Sequence, residues 1–245
     1  AIVFLWLLTH ALEVKVQVKN FLTWSTDYVK KILLIGVPSA FEQILYQTSQ
    51  IVLLYYVTHV GAEALTARQY AMNISMFIYL FAMAIGTGTA IMIGHYVGAG
   101  EKELAYNQVW KSVKSALAVS LTMIVVVTLF REPLMGIFTD NERIIQIGAS
   151  VLVLSILLET GRTINITIIN ALRASGDARY PVKIGFISMI CIGLSVGYVL
   201  VFVLELGLVG VWLAIALDEW IRAILVLIRW KSRKWERFAI VTKEE

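Results

Sequence analysis

The sequence predicts an all-α membrane protein, and three observations lead to that prediction. Of the 245 residues, 59% are hydrophobic and only 16% are charged, and the mean hydropathy is +0.78. Soluble domains average roughly 45–50% apolar and about 25% charged residues. The apolar residues form runs of the length that crosses a bilayer, about 20 residues. Within those runs the period is helical, without the alternation of a membrane β-barrel strand.

Seven apolar runs follow one another along the chain. The first, residues 1–12, is too short to span a bilayer and lacks the charged start and cleavage site of a signal peptide, so we interpret it as the end of a truncated helix. The other six are each long enough for one membrane-spanning helix: Ile32–Val57, Leu65–Tyr96, Val109–Phe130, Ile144–Ala171, Pro181–Leu204 and Leu208–Trp230. The prediction is therefore a six-helix transmembrane lobe over residues 32–230, with a linker at 13–31 and a basic tail at 231–245.

The basic residues predict the orientation, because Lys and Arg in short loops stay on the cytoplasmic side. Sixteen of the 21 lie in the linker, in the loops 97–114 and 173–183, and from Arg229 onwards. Three lie on the opposite side: Arg68, Arg131 and Arg143. We expect a multi-pass protein of the cell (plasma) membrane with a cytoplasmic C-terminus. The net charge of +4 then reflects topology, and nucleic acid is not an expected partner.

The basic tail allows two interpretations. It can bind anionic lipid headgroups, with Trp230 and Trp235 at the membrane interface. The simpler interpretation is an ordinary anchor for the last helix.

Polar residues inside the apolar runs are the candidates for function, because a charge at bilayer depth costs at least ~2.5–3.5 kcal/mol. In the first full-length run they recur every three or four positions and so share one helix face. Glu42 lies about 15 Å into this run, near the bilayer midplane. The stripe consists of Ser39, Glu42, Gln43, Tyr46, Gln47 and Gln50, and the next run adds Gln69 and Asn73. We expect this stripe to line a cavity.

Two later runs contain clusters of charge. Glu159 and Arg162, three residues apart, can pair along one helix, with Asn165 one turn further on. Arg222 can reach both Asp218 and Glu219. Each cluster has two interpretations, a structural ion pair that braces the bundle or a part of the transport pathway, and the sequence leaves both open.

Catalytic signatures are absent from the sequence. There is no phosphate-binding GxxxxGK[ST] loop, no HExxH and no GxSxG, the three histidines do not cluster, and Cys191 is the single cysteine. We therefore expect no enzyme activity, no cofactor and no metal site built from histidine or cysteine.

Five motifs in this order resemble the C-terminal half of a bacterial multidrug and toxic compound extrusion (MATE) transporter. The resemblance covers residues from about Leu33 to Trp235. The motifs are GVPSAFEQ at 36–43, ARQYAMNI at 67–74, GTGTA at 86–90 with GHYVGAG at 94–100, NALRASGDARYP at 170–181, and GLVGVW at 207–212.

The resemblance implies one lobe of a twelve-helix transporter that exports small cationic, amphipathic compounds in exchange for H⁺ or Na⁺. Its partners would be those compounds, the lipid bilayer and an N-terminal lobe missing from this chain. Asp177, in the family's cytoplasmic hairpin, would brace Arg173 or Arg179 or cap the next helix. The alternatives are a flippase-like exporter of a lipid-linked or other amphipathic metabolite, and a non-functional half-transporter fragment.

One position departs from the family pattern. In the NorM-like branch an aspartate about eleven residues before the arginine of the Leu-Arg-Gly motif helps to bind the coupling cation, and that count from Arg173 reaches Arg162. An arginine would repel Na⁺, so either Glu42 and Glu159 form a rearranged site or the coupling site is in the other lobe. Glu42 is the best candidate for a group that takes up a proton.

Overall fold

A computed structural model describes residues 26–238 of the chain. Within that range nothing is described of the side chains of Asp27, Tyr28, Lys31, Leu34, Ile35, Pro38, Ser39 and Glu42. The predicted truncated helix at 1–12 and most of the predicted linker lie outside the described residues. The chain divides into two compact units, Ala1–Val37 and Pro38–Glu245. The contacts below belong to the second unit.

The described chain is helical and contains no strand, which confirms the predicted fold class. The helices are α1 (Thr26–Val60), α2 (Ala62–Gly98), α3 (Lys102–Leu129), the short α4 (Arg131–Gly136), α5 (Glu142–Ala174), α6 (Arg179–Val203) and α7 (Gly207–Lys231). Helix α6 widens into π-helical turns at Met189–Leu194 and Val199–Val203, and a 3₁₀ turn follows α7 at Lys234–Arg237. Helix α1 begins at Thr26, inside the segment predicted as linker.

Local sequence signals set the helix boundaries. Gly61, between α1 and α2, has φ 132°, a conformation that L-residues with a side chain rarely adopt. Helix α5 begins after Asn141, whose side-chain oxygen accepts hydrogen bonds from the backbone N–H groups of Arg143 and Ile144. It ends at Ala174; Gly176, two residues further on, has φ 95°, and the N–H of Asp177 bonds back to the carbonyl of Leu172 at 2.9 Å.

Four of the described helices, α2, α3, α5 and α6, are long and apolar enough to cross a membrane by length and composition alone. Helix α7 falls outside this group because any 18-residue stretch of it includes Asp218, Glu219 and Arg222. Helix α1 also falls outside it, and α1 contains the glutamine-rich stripe. Apart from the short α4, the described helices outside the group are thus two of those that contain predicted functional residues.

Helix α5 is the central helix of the bundle and packs against α2, α3 and α7. Its apolar side chains belong to two hydrophobic clusters, one around Leu152 and Leu158 and the other around Ile168 and Leu172. Between these two clusters lie its polar residues, and the side chain of Glu159 is 1% exposed. A polar residue on α5 is therefore inside the protein and needs a protein partner.

The tryptophans of the basic tail pack inside the protein. Trp230 and Trp235 are fully buried, and their rings stack with centroids 4.3 Å apart and an angle of 3° between the planes. The prediction that these rings can lie at a lipid interface is wrong, because each ring already covers the other. Arg233 forms an ion pair with Glu103 at the start of α3, so the tail is held against the bundle.

Candidate transport cavity

The largest described cavity has a volume of about 430 Å³ and is bounded by α1, α2, α5 and α7. Six of the predicted site residues line it: Gln43, Tyr46, Gln47, Asn73, Glu159 and Arg162. The lining also includes Gln50, Arg68, Gln69, Met72, Ser75, Met76, Tyr79, Leu158, Trp212 and Ile215. The stripe of α1 thus faces Asn73 and the Glu159–Arg162 pair, as the spacing of these residues predicts.

A second cavity, of about 210 Å³, shares Gln43, Tyr46, Tyr79 and Arg162 with the first. Two further predicted residues, Asn165 and Arg222, line it, together with Glu219. Arg162 therefore contributes to both cavities. Asp218 lines neither, and the side chain of Glu42 lies outside the described residues, so its place in a cavity stays a prediction.

The two charge clusters predicted on separate helices form one network. Arg162 Nη1 on α5 donates to Glu159 Oε1 at 2.7 Å, and Arg162 Nε reaches Glu219 Oε1 on α7 at 3.4 Å. Arg222 Nη2 contacts the same Glu219 oxygen at 3.2 Å and Asp218 Oδ2 at 2.5 Å. Glu219 is the link between the clusters, because both arginines contact it.

Neutral side chains complete the hydrogen bonding of the network. Asn165 Nδ2 donates to Glu219 Oε2 at 2.8 Å, and the Ser188 hydroxyl on α6 donates to Asp218. Three carboxylates and two guanidinium groups leave one formal negative charge if every group is ionised. Each carboxylate has an arginine partner, although the two arginines balance only two of the three negative charges. Among the described residues, no three His, Cys, Asp or Glu side chains form a cluster able to hold a metal ion.

The back wall of the larger cavity contains a small neutral cluster. Trp212 Nε1 donates to Ser155 Oγ at 3.4 Å, and Ser155 Oγ lies 3.4 Å from Ser75 Oγ. These contacts join α7, α5 and α2, and they hold Trp212 in the lining of the cavity. An aromatic face beside a polar wall suits a substrate with an apolar ring system.

Arg68 lies in the predicted run Leu65–Tyr96 and was counted only among the basic residues of the outer side, so its place in the cavity was not predicted. Arg68 lies within α2, is 6% exposed and lines the larger cavity. Its Nη2 donates to Gln50 Oε1 on α1 at 3.3 Å. A signal was present, because Arg68, Met72, Ser75 and Tyr79 recur at helical spacing and all face the cavity. Tyr79 and Trp212 were also missed, and Glu219 was noted only as a partner of Arg222.

Asp177 has a partner that the sequence did not suggest. Its carboxylate is buried and accepts a hydrogen bond from Arg229 Nε at the end of α7, at 2.7 Å. The same guanidinium lies 4.5 Å from the ring centre of Tyr180 at the start of α6. Asp177 therefore links the α5–α6 loop to α7, in addition to any role beside Arg173.

Comparisons with known proteins agree with this architecture. The family model described as MatE matches residues 38–199. The transporter YisQ of Bacillus subtilis is 41% identical over 224 residues, which is 91% of this chain and 49% of that protein. The probable multidrug resistance protein NorM of Thermotoga maritima is 31% identical over 221 residues, covering 90% of this chain and 47% of that protein.

A solved structure shows the same fold. The crystal structure of the Vibrio cholerae MATE transporter VcmN in its bent form superposes with a TM-score of 0.76 at 19% identity, over 88% of this chain and 48% of that one. The chain thus spans about half the length of the curated relatives it matches.

Proposed function

Because this chain belongs to the MatE family of transporters, we propose that it forms one lobe of a secondary transporter that exports cationic amphipathic compounds in exchange for H⁺ or Na⁺. The proposal includes a second, N-terminal lobe as partner and a place in the plasma membrane with the C-terminus in the cytoplasm. The relative from Thermotoga maritima, with its name of probable multidrug resistance protein, supports multidrug efflux as the activity.

The observation that carries this proposal is the cavity of about 430 Å³ next to the buried charge network, in a bundle where two of the four helices around the cavity, α2 and α5, are apolar enough to cross a membrane. Ligand cavities for small organic molecules measure roughly 300–1,000 Å³. Polar residues in a membrane lobe are expensive, so a cavity lined by Tyr46, Gln47 and Asn73 favours a transport function over a purely structural one.

The contacts suggest a division of roles among these residues. Tyr46, Tyr79 and Trp212 supply aromatic faces for an apolar cation, and Met72 and Met76 supply adaptable apolar contact. The network of Glu159, Arg162, Glu219, Arg222 and Asp218 connects α5 to α7 and holds the wall of the cavity. Alternating access would then move this lobe against the other, without nucleotide hydrolysis.

The coupling ion is assigned by elimination within this lobe. Each carboxylate of the network has an arginine partner, and that arrangement disfavours Na⁺ there. We therefore propose that Na⁺, if used, binds in the other lobe, and that Glu42 is the group that takes up a proton in this one. Substrate and proton would compete for the same carboxylate.

The test uses the complete transporter in proteoliposomes. Uptake of the fluorescent cation rhodamine 123 is measured under an imposed pH gradient, under a Na⁺ gradient and without either. We expect accumulation only with a gradient, and a strong loss of the pH-driven component in Glu42→Gln. Glu132 is an exposed residue, and Glu132→Gln is the matched control. Uptake that is independent of both gradients would contradict antiport, and a Glu42→Gln protein with wild-type pH dependence would contradict the role of Glu42.

A further inference from the structure

Arg68 differs from Arg162 and Arg222 in its surroundings. Its side chain is 6% exposed, and among the side chains that the structure describes it donates a hydrogen bond to the neutral Gln50, at 3.3 Å. Its Nε has no hydrogen-bond partner. Within residues 26–238, as far as their side chains are described, no carboxylate pairs with it, whereas Arg162 and Arg222 each contact two carboxylates.

A buried guanidinium without a counter-charge is costly, because the penalty for removing an ion from water is several kcal/mol and only a close opposite charge offsets it. Gln50 offers an amide oxygen and no charge. Water in the cavity can accept hydrogen bonds from Arg68 but also supplies no negative charge. Arg68 is one of the residues that line a space of about 430 Å³, which is large enough for part of an organic molecule.

We propose that Arg68 binds the acidic group, a carboxylate or phosphate, of the compound that this lobe exports. The inference rests on the proposed function and narrows it: the substrates are amphipathic molecules that combine an aromatic cation with an acid. Arginine is suited to this contact because its planar fork can donate two parallel hydrogen bonds to one carboxylate. The same cavity offers the aromatic faces of Tyr79 and Trp212 for the ring system.

The position of Arg68 favours a small ligand over an acidic side chain of another lobe. Arg68 is buried by residues of this chain alone, so a side chain from outside would have to extend into the cavity to reach it. Arg68 is also the seventh residue of α2, about 9 Å from the start of that helix. The acid would therefore lie near one end of the cavity, on the side of the α1–α2 turn.

Two dyes that differ at one group provide the test. Rhodamine 110 has a free carboxylate, and rhodamine 123 is its methyl ester with the same aromatic cation. Binding of each to the complete transporter is measured by fluorescence anisotropy, for wild type, Arg68→Gln, Arg68→Lys and the control Arg143→Gln. Arg143 is an exposed arginine that pairs with Glu63, and neither residue belongs to the cavity lining.

We expect Arg68→Gln to weaken the binding of rhodamine 110 by about tenfold or more, and that of rhodamine 123 by less than about threefold. Arg68→Lys keeps the charge but loses the fork, so it should retain part of the affinity for rhodamine 110. If Arg68→Gln does not fold, Arg68→Lys alone must still weaken the binding of rhodamine 110 more than the binding of rhodamine 123. Arg143→Gln should bind both dyes as wild type does.

The outcomes separate this inference from the proposed function. Suppose that wild type binds rhodamine 123 and that the Arg68 variants weaken the binding of both dyes equally, or of neither dye. The inference is then wrong while the proposed function stands. If wild type binds and transports neither dye, both proposals are wrong. Phosphatidylglycerol is added as a competitor in a parallel titration. Displacement of rhodamine 110 from wild type by this lipid at low excess would assign Arg68 to a lipid phosphate and overturn the assignment to an exported compound.

Discussion

Arg162 Nε on α5 lies 3.4 Å from Glu219 Oε1 on α7, and this contact joins residues 57 positions apart. It converts two local clusters into one network, because Glu219 also contacts Arg222 and accepts a hydrogen bond from Asn165. The wall of the larger cavity and the packing of α7 on α5 therefore depend on the same carboxylate. A change at Glu219 should affect both stability and transport.

Glu219→Gln tests this dependence. The substitution keeps the shape of the side chain but removes the charge that both arginines share, so we expect the unfolding free energy to fall by about 2–4 kcal/mol. Glu159→Gln is the matched comparison, since Glu159 is as buried as Glu219 but contacts Arg162 alone. Thermal unfolding in detergent compares the stability of the two purified variants. A loss in Glu159→Gln equal to or larger than that in Glu219→Gln would contradict the linking role of Glu219.

The Asp177–Arg229 pair should stabilise the protein more than an exposed pair of the same length. Asp177→Asn leaves the buried end of Arg229 without its anion, and we expect a loss of about 1.5–3 kcal/mol. Glu63→Gln breaks the exposed pair with Arg143, whose 2.8 Å distance is nearly equal to the 2.7 Å of the buried pair, and should cost less than about 1 kcal/mol. Chemical denaturation curves of the two variants give the comparison. Equal losses would show that burial does not set the strength of the Asp177 contact.

The sequence predicted the local parts of the site and missed the long-range ones, for a physical reason. The pairing of Glu159 with Arg162 follows from helix geometry, because residues three positions apart lie on the same face. The contact of Arg162 with Glu219 depends on how α5 packs against α7, which no local spacing encodes. The central position of α5 is likewise a tertiary property, although six long apolar runs predicted the all-α fold itself.

Arg68 shows what a count of basic residues leaves out. The count assigned Arg68 to the outer side, although it lies within the predicted run Leu65–Tyr96. In the structure it is the seventh residue of α2, which begins at Ala62. The helical spacing from Arg68 to Met72 and Tyr79 indicated a shared face, and only the structure shows that this face borders the cavity.

The stacked tryptophans of the tail should be a stabilising contact of the folded protein. Trp235→Ala removes a fully buried indole from its contact with Trp230, and we expect a loss of about 3–5 kcal/mol. Phe238→Ala, three residues further along, removes an aromatic ring that is 45% exposed and serves as control, with an expected loss below about 1 kcal/mol. Melting temperatures of the two variants, taken from the total tryptophan fluorescence of the chain, which has seven tryptophans in wild type, give the comparison. Similar stability of the two variants would show that the stack contributes little.

Gly210 is required because α7 passes close to the backbone of α6. A Cβ atom at Gly210 would lie 3.0 Å from the carbonyl carbon and oxygen of Leu200, and a backbone cannot move aside as a flexible side chain can. We therefore expect Gly210→Ala to destabilise the protein by about 1–3 kcal/mol, although alanine is the better helix former. Gly94→Ala is the matched control, because a Cβ there meets nothing within 4 Å and the substitution should be neutral or stabilising by up to about 1 kcal/mol. The melting temperatures of Gly210→Ala and Gly94→Ala in detergent, each relative to wild type, give the comparison. A Gly210→Ala protein as stable as Gly94→Ala would mean that α6 and α7 separate at little cost.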